Sequence, residues 1–197
     1  MKPIDLGGFD RKFASDDDPW CTFSDRAEAR KRRAILHGVG EGPIGRVLEL
    51  AAGNGSNSVA LAKVARRLDA TEGTQNGTDL VKRAVGDMPR VQVRRLVLPG
   101  RFPRQTYDTI VVAEVLYYLT KTDMTRVARD VTRALRPGGR LILAHHRVDF
   151  PDFLQHADGL HHVFLTATGS AWREVVRVRT GRWSVQSFKN SIPRALP

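Results

Sequence analysis

Arg46 to Gly55 reads RVLELAAGNG: a short apolar run closes on an acid, and small residues follow, with glycines at 53 and 55. Such a stretch is a buried strand entering a tight turn, where backbone N–H groups can come close to a ligand. The features downstream keep a telling order. Glu72 falls 23 residues past Glu49, the place from which a carboxylate at the end of a second strand holds ribose hydroxyls. YDTIVVAEVLYYL then spans Tyr107 to Leu119, and LRPGGRLIL spans Leu135 to Leu143. Each alone is weak; in this order they place a nucleoside across the carboxyl ends of parallel strands.

Working outward, helix and strand alternate. Met1 to Trp20 is polar, contains glycine and ends in DDDPW, and reads as a mobile arm. Asp25 with Glu28 three residues on is a capping box for a helix reaching about His37. Gly38 to Gly45 is a glycine-rich connector, and Val47 to Leu50 a buried strand. Asn57 or Ser58 caps the next helix, whose apolar stripe runs through Val59, Leu61, Ala62, Val64 and Ala65 to Leu68. Leu68 to Glu72 is a short strand, Thr78 to Val85 a helix, and Val91 to Leu96 and Tyr107 to Ala113 are strands. Thr122 caps a helix with Met124, Val127, Ala128, Val131 and Leu135 on one face; Pro137-Gly138-Gly139 ends it before a strand from Arg140 to Ala144. Arg173 to Thr180 and Trp183 to Lys189 alternate apolar and polar residues around Gly181-Arg182, an antiparallel pair. The pattern is a doubly wound α/β domain with an antiparallel edge hairpin.

The chain's 197 residues suit one domain with a proper core, and its 41% hydrophobic content is ordinary. No apolar run has the length of a signal peptide or membrane span, and one cysteine, Cys21, excludes a disulfide framework. The expected address is cytoplasmic, without membrane association. A net charge of +11 attracts polyanions, but the basic residues are dispersed, with Arg30-Lys31-Arg32-Arg33 the densest group. Solvated basic faces, a nucleic-acid surface or an anionic partner all fit this pattern. Five of the six histidines lie between His145 and His162. His156 and His161 are off the i, i+4 register of a helical metal site, and His145-His146 alternate across a strand, so no metal is expected.

The third glycine of a dinucleotide fingerprint is absent, Ser58 standing in its place, and no P-loop lysine follows. An acid, glycines and a second acid remain, and this arrangement resembles the class I S-adenosylmethionine-dependent methyltransferases. The resemblance implies a mostly parallel seven-stranded, Rossmann-like sheet. It implies that S-adenosyl-L-methionine is held by Glu49, Ala51, Gly53, Asn54, Gly55, Glu72, Gly73, Val97 and Glu114. Ala51 stands where the family has its first glycine, and Val97 where it often has an adenine-contacting acid. DDDPW, VVAEVLYYL, AHHR (Ala144–Arg147) and ADGLHHV are similar to the nodulation-type, NodS-like branch. That branch implies N-methylation of an amine on a de-acetylated chitin-type oligosaccharide.

Methyl transfer from a sulfonium is an in-line displacement, so alignment carries most of the rate, and an amine acceptor must first lose a proton. Glu114 is the first candidate to take or hold that proton and His146 the second, with Tyr117 and Tyr118 candidates to contact the acceptor or the cationic methyl group. The expected organisation is an arm and helix over 1–45 capping the cofactor, then the binding domain over 46–197 with a lid-like insertion at 147–171. Trp20 should pack toward the cofactor, with Glu114, His146 and His161 facing one cavity. Family resemblance favours a small-molecule substrate by arguing against two kinds of nucleic-acid enzyme. Those that methylate exocyclic base amines usually carry an Asp/Asn-Pro-Pro-aromatic motif after the fourth strand, where Ala113-Glu114-Val115-Leu116 stands. Those that methylate cytosine carbon need a nucleophilic cysteine, whereas Cys21 lies in the arm. The rivals are an RNA or DNA methyltransferase and a protein that binds the cofactor without transferring from it. Oligomeric state is open.

Overall fold

A computed structural model describes residues 3–190. Its strands are β1 (Ile44–Leu50), β2 (Ala65–Glu72), β3 (Val91–Arg95), β4 (Tyr107–Ala113), β5 (Leu135–His146), β6 (Trp172–Arg179) and β7 (Trp183–Asn190). They form one sheet in the order β3-β2-β1-β4-β5-β7-β6. β1 to β5 pair in parallel, and β7 lies antiparallel between β5 and β6. The seven-stranded doubly wound sheet with an antiparallel edge pair is therefore present as expected.

The central strands are buried on both faces, and alternate residues feed two cores. Leu48, Leu50, Ile110, Val112, Leu141 and Leu143 point to one side, under α5 (Lys121–Ala134) and α6 (Leu160–Ala167). Val47, Val111, Ala113, Ile142 and Ala144 point to the other, under α2 (Arg26–Val39), α3 (Ser56–Ala62) and α4 (Gln75–Val85). The reversal of strand order between β1 and β4 opens a crevice at the carboxyl ends of these strands.

Several expectations need correction. The arm is not all irregular: α1 (Leu6–Ser15) is a helix, N-capped by the Asp5 carboxylate, which accepts from the Gly8 amide at 2.7 Å. The apolar stripe read as one helix through Leu68 is broken. α3 starts beside Gly55 and ends at Ala62, and Ala65 and Leu68 belong to β2. α4 starts at Gln75 under a Thr74 cap, three residues before the expected start at Thr78, and Thr120, not Thr122, caps α5. Pro137-Gly138-Gly139 does not precede the fifth strand but makes an irregularity within it, with Gly138 at φ +72°. The 147–171 stretch contains α6, whose Leu160 and Phe164 are core residues against α5.

Candidate active site

The glycine loop leaves β1 in a left-handed path: Ala51, Gly53 and Gly55 have φ of +54°, +63° and +87°. Glycine adopts this freely and alanine does not, so Ala51 is the strained member. Space beside Gly53 is open; an added Cβ there would meet only the Phe13 ring at 3.8 Å. At Gly55 it would press on the backbone of α4 at Val81, 3.1 Å away, so this glycine serves helix packing.

Two buried carboxyls flank the loop. Glu49 at the end of β1 accepts from the Ser58 hydroxyl at 2.5 Å. Burial pushes its carboxyl up to about 8 against that hydrogen bond, and the Glu72 charge adds to the rise. Glu72 ends β2 and is buried; its two oxygens accept from the Gly53 amide at 3.0 Å and from the Thr74 amide and hydroxyl at 2.9 and 3.0 Å. Desolvation outweighs these bonds and raises its pKa as well. The carboxyl thus sits between the glycine loop and the Gly73-Thr74 turn with acceptor capacity to spare, which fits a nucleoside's ribose. Beside Gly73 lie the Leu96 carbonyl and the Val97 backbone; the Val97 side chain itself is exposed.

α1 and the DDDPW segment cover this crevice. Asp10 accepts from the Asn76 amide at 2.9 Å, Phe13 is buried against Gly77, and Leu6 lies over Gly73. Asn54 donates to the Asp17 carbonyl at 3.2 Å and to the Asp18 carboxylate at 2.8 Å, which ties the loop to the covering segment. Trp20 packs edge-on against Phe13 at 5.4 Å and near Phe9 at 6.0 Å, so it reaches the crevice through these rings and keeps one side exposed.

Glu114 follows β4 at φ +54°, held there by its amide bond to the Ala144 carbonyl. Its Oε1 pairs with the Lys31 ammonium of α2 at 2.5 Å, and Lys31 also holds Glu28 at 2.8 Å. Its Oε2 accepts from the Tyr117 hydroxyl and lies 2.9 Å from His146 Nδ1. Burial would raise this carboxyl, but Lys31 and then His146 hold it well below the usual carboxylate range. Burial likewise works against the Lys31 charge and is overcome by Glu114 and Glu28, leaving its pKa raised. Lys31, at 3% exposure, is a site residue that the sequence does not single out, since there it is only one member of the basic group Arg30-Lys31-Arg32-Arg33. Tyr117 is buried and stacks on Phe153 at 3.7 Å, so it supports Glu114 from within the core; Tyr118 stands edge-on to Phe9 at 4.7 Å and lines the covered side.

His161 does not join His146 at Glu114. It lies behind the site, its Nε2 3.0 Å from His145 Nδ1 and its Nδ1 2.6 Å from the Gln186 amide oxygen. His145 Nε2 accepts from the Leu116 and Val115 amides at 3.3 and 3.4 Å, so both rings are neutral and steady the turn carrying Glu114. Desolvation lowers the pKa of each. Of the expected cavity-facing set, Glu114 and His146 come together, while His161 and Trp20 stand behind other side chains. Among the described residues, no group of three or more His, Cys, Asp or Glu is placed to hold a metal ion. No helix there is long and apolar enough to cross a membrane.

The sheet order, the glycine loop after β1 and the acid after β2 define the Rossmann-like methyltransferase fold. The N-methyltransferase NodS from Bradyrhizobium japonicum WM9, solved with S-adenosyl-L-homocysteine, superposes with a TM-score of 0.79 at 21% identity, covering 94% of this chain and 97% of that one. The DhpI complex with S-adenosylhomocysteine (SAH) superposes with a TM-score of 0.74 at 20% identity, covering 94% of each chain. The family model for Nodulation protein S (NodS) matches residues 8–188, and the chain belongs to that family. Nodulation protein S of Rhizobium tropici is 31% identical over 134 residues, 66% of this chain and 56% of that relative's length.

Proposed function

We propose that this protein is an S-adenosyl-L-methionine-dependent methyltransferase that acts on a small molecule, by N-methylation of an amine such as that of an amino sugar or oligosaccharide. The observation that carries this reading is the charge of the acceptor side. Two carboxylates, Glu28 and Glu114, share one ammonium, Lys31, leaving a net negative charge beside His146 at the strand ends. Such a site draws in a cationic amine and disfavours a phosphate backbone. Glu49, Ala51, Gly53, Asn54, Gly55, Glu72 and Gly73 would hold the cofactor, with the Val97 backbone at the adenine side and Phe13 and Trp20 above. The cofactor supplies an electrophilic methyl group; the chain supplies alignment, exclusion of water by α1 and the 147–171 stretch, and a place for the acceptor's proton. A cytoplasmic enzyme working on a small molecule accords with this reading.

The test is methyl transfer from labelled cofactor to de-acetylated chitin-type oligosaccharides, simple amines and total RNA. Label on an amine is the expected result. Label on RNA alone, or tight SAH binding with no transfer to any acceptor, would replace this reading with one of its rivals.

A further inference from the structure

Glu114 is poorly placed to accept a further proton. Its Oε2 already takes hydrogen bonds from Tyr117 and His146, and its Oε1 takes one from Lys31. The arrangement has a direction. Since a carboxylate has no hydrogen to give, the 2.9 Å contact to His146 requires the imidazole to carry its proton on Nδ1. Nε2 is then a bare acceptor, on a ring that retains 20% of its side-chain exposure. A carboxylate that orients one imidazole nitrogen so that the other works as a base is the logic of hydrolytic triads. Lys31, 3% exposed and reaching Glu114 from another element, has no solvent role to explain it.

We propose that His146 Nε2 is the catalytic base for the acceptor, that Glu114 orients it, and that Lys31 is a positioning residue acting through Glu114. The inference rests on the amine-methylation reading above. In the step, Nε2 takes a proton from the acceptor's ammonium. The nitrogen lone pair so freed bonds to the methyl carbon as the C–S bond yields its electron pair to sulfur, and charge is conserved: imidazolium and methylammonium replace ammonium and sulfonium. The conformation of Glu114 suits this work. At φ +54° it is held against its own backbone preference, by the Ala144 carbonyl on one side and Lys31 on the other.

Three measurements test it. In ¹⁵N spectra of the histidine-labelled wild-type protein, His146 should show the Nδ1–H tautomer, and Lys31→Met should weaken that preference. His146→Gln should lower kcat about 100-fold or more, with SAH affinity within twofold of wild type. Lys31→Met should lower kcat at least about tenfold and move its acid limb to higher pH, because Glu114 freed of the ammonium becomes protonatable; Lys31→Arg should restore most of both. A wild-type Nε2–H tautomer, a fully active His146→Gln, or a Lys31→Met protein that binds SAH and keeps the wild-type pH profile would overturn the proposal. The tautomer needs no acceptor, so its result separates this inference from failure of the amine reading itself.

Discussion

Glu49 shows how one buried acid can set a pH dependence. Its folded carboxyl titrates near 8, whereas the unfolded chain releases that proton near 4.5. Between those values the folded state holds the proton and the unfolded state does not, so stability falls as pH rises through the window. Glu49→Gln keeps the Ser58 hydrogen bond and has nothing to titrate. At pH 5 its melting temperature should match the wild type; at pH 7 it should be the more stable by roughly 2–4 kcal/mol, at about 1.4 kcal/mol per unit. Ala51→Gly should stabilise by about 0.5–1 kcal/mol in a denaturant titration, since relief of the left-handed alanine slightly exceeds the entropy cost of glycine. Glu72→Ala removes an acceptor worth roughly 1.5–3 kcal/mol and should weaken SAH binding about ten- to a hundredfold in calorimetry. Glu114→Gln should instead spare that affinity and lower turnover. Glu49, Glu72 and Glu114 were legible because each ends a strand whose apolar run is visible in the chain. Lys31 was not: it sits among arginines in a charged helix, and only the fold brings Glu114 to it from 83 residues away.

At the scale of elements, α1 was hidden by Gly7 and Gly8, each of which costs about 1 kcal/mol of helix propensity relative to alanine. Docking offsets that cost, because Phe9 and Phe13 turn inward onto Tyr118 and Trp20. The confusion of α3 with β2 has a different source. Ala65 and Leu68 lie at helical spacing from Leu61, yet they belong to a parallel strand buried on both faces, where apolar residues need not alternate. The antiparallel pair was plainly readable, since its outer strand faces solvent on one side and keeps the alternation. Phe13→Ala should leave the sheet intact and free α1 from the crevice. Hydrogen exchange over residues 5–15 should then speed up, and SAH should dissociate faster; unchanged protection there would mean that Phe13 is not what docks α1 and that Phe9, Leu6 and the Asp10–Asn76 hydrogen bond suffice.

For the molecule as a whole, the net charge of +11 is gathered in part where the crossover from β3 to β4 lacks a helix. Arg126, Arg129 and Arg133 of α5 face Pro99 and Gly100 across a groove of about 340 Å³, which continues past Arg101 and Arg104 and contains none of the site residues. RNA should bind weakly and lose affinity steeply with salt, as non-specific phosphate contacts do; selective submicromolar binding at physiological salt would contradict this. The Ile4 amide bonds to the Asp152 carbonyl at 3.1 Å, joining the arm to the stretch that follows β5. One door therefore serves two guests. On the proposed reading the cofactor's crevice is the one the arm covers, and an acceptor reaching His146 from the side of Phe150 would close the way out for a donor already seated there. Kinetics should accordingly be ordered, with the methyl donor first in and its demethylated form last out. SAH should then inhibit competitively against the donor and non-competitively against the amine.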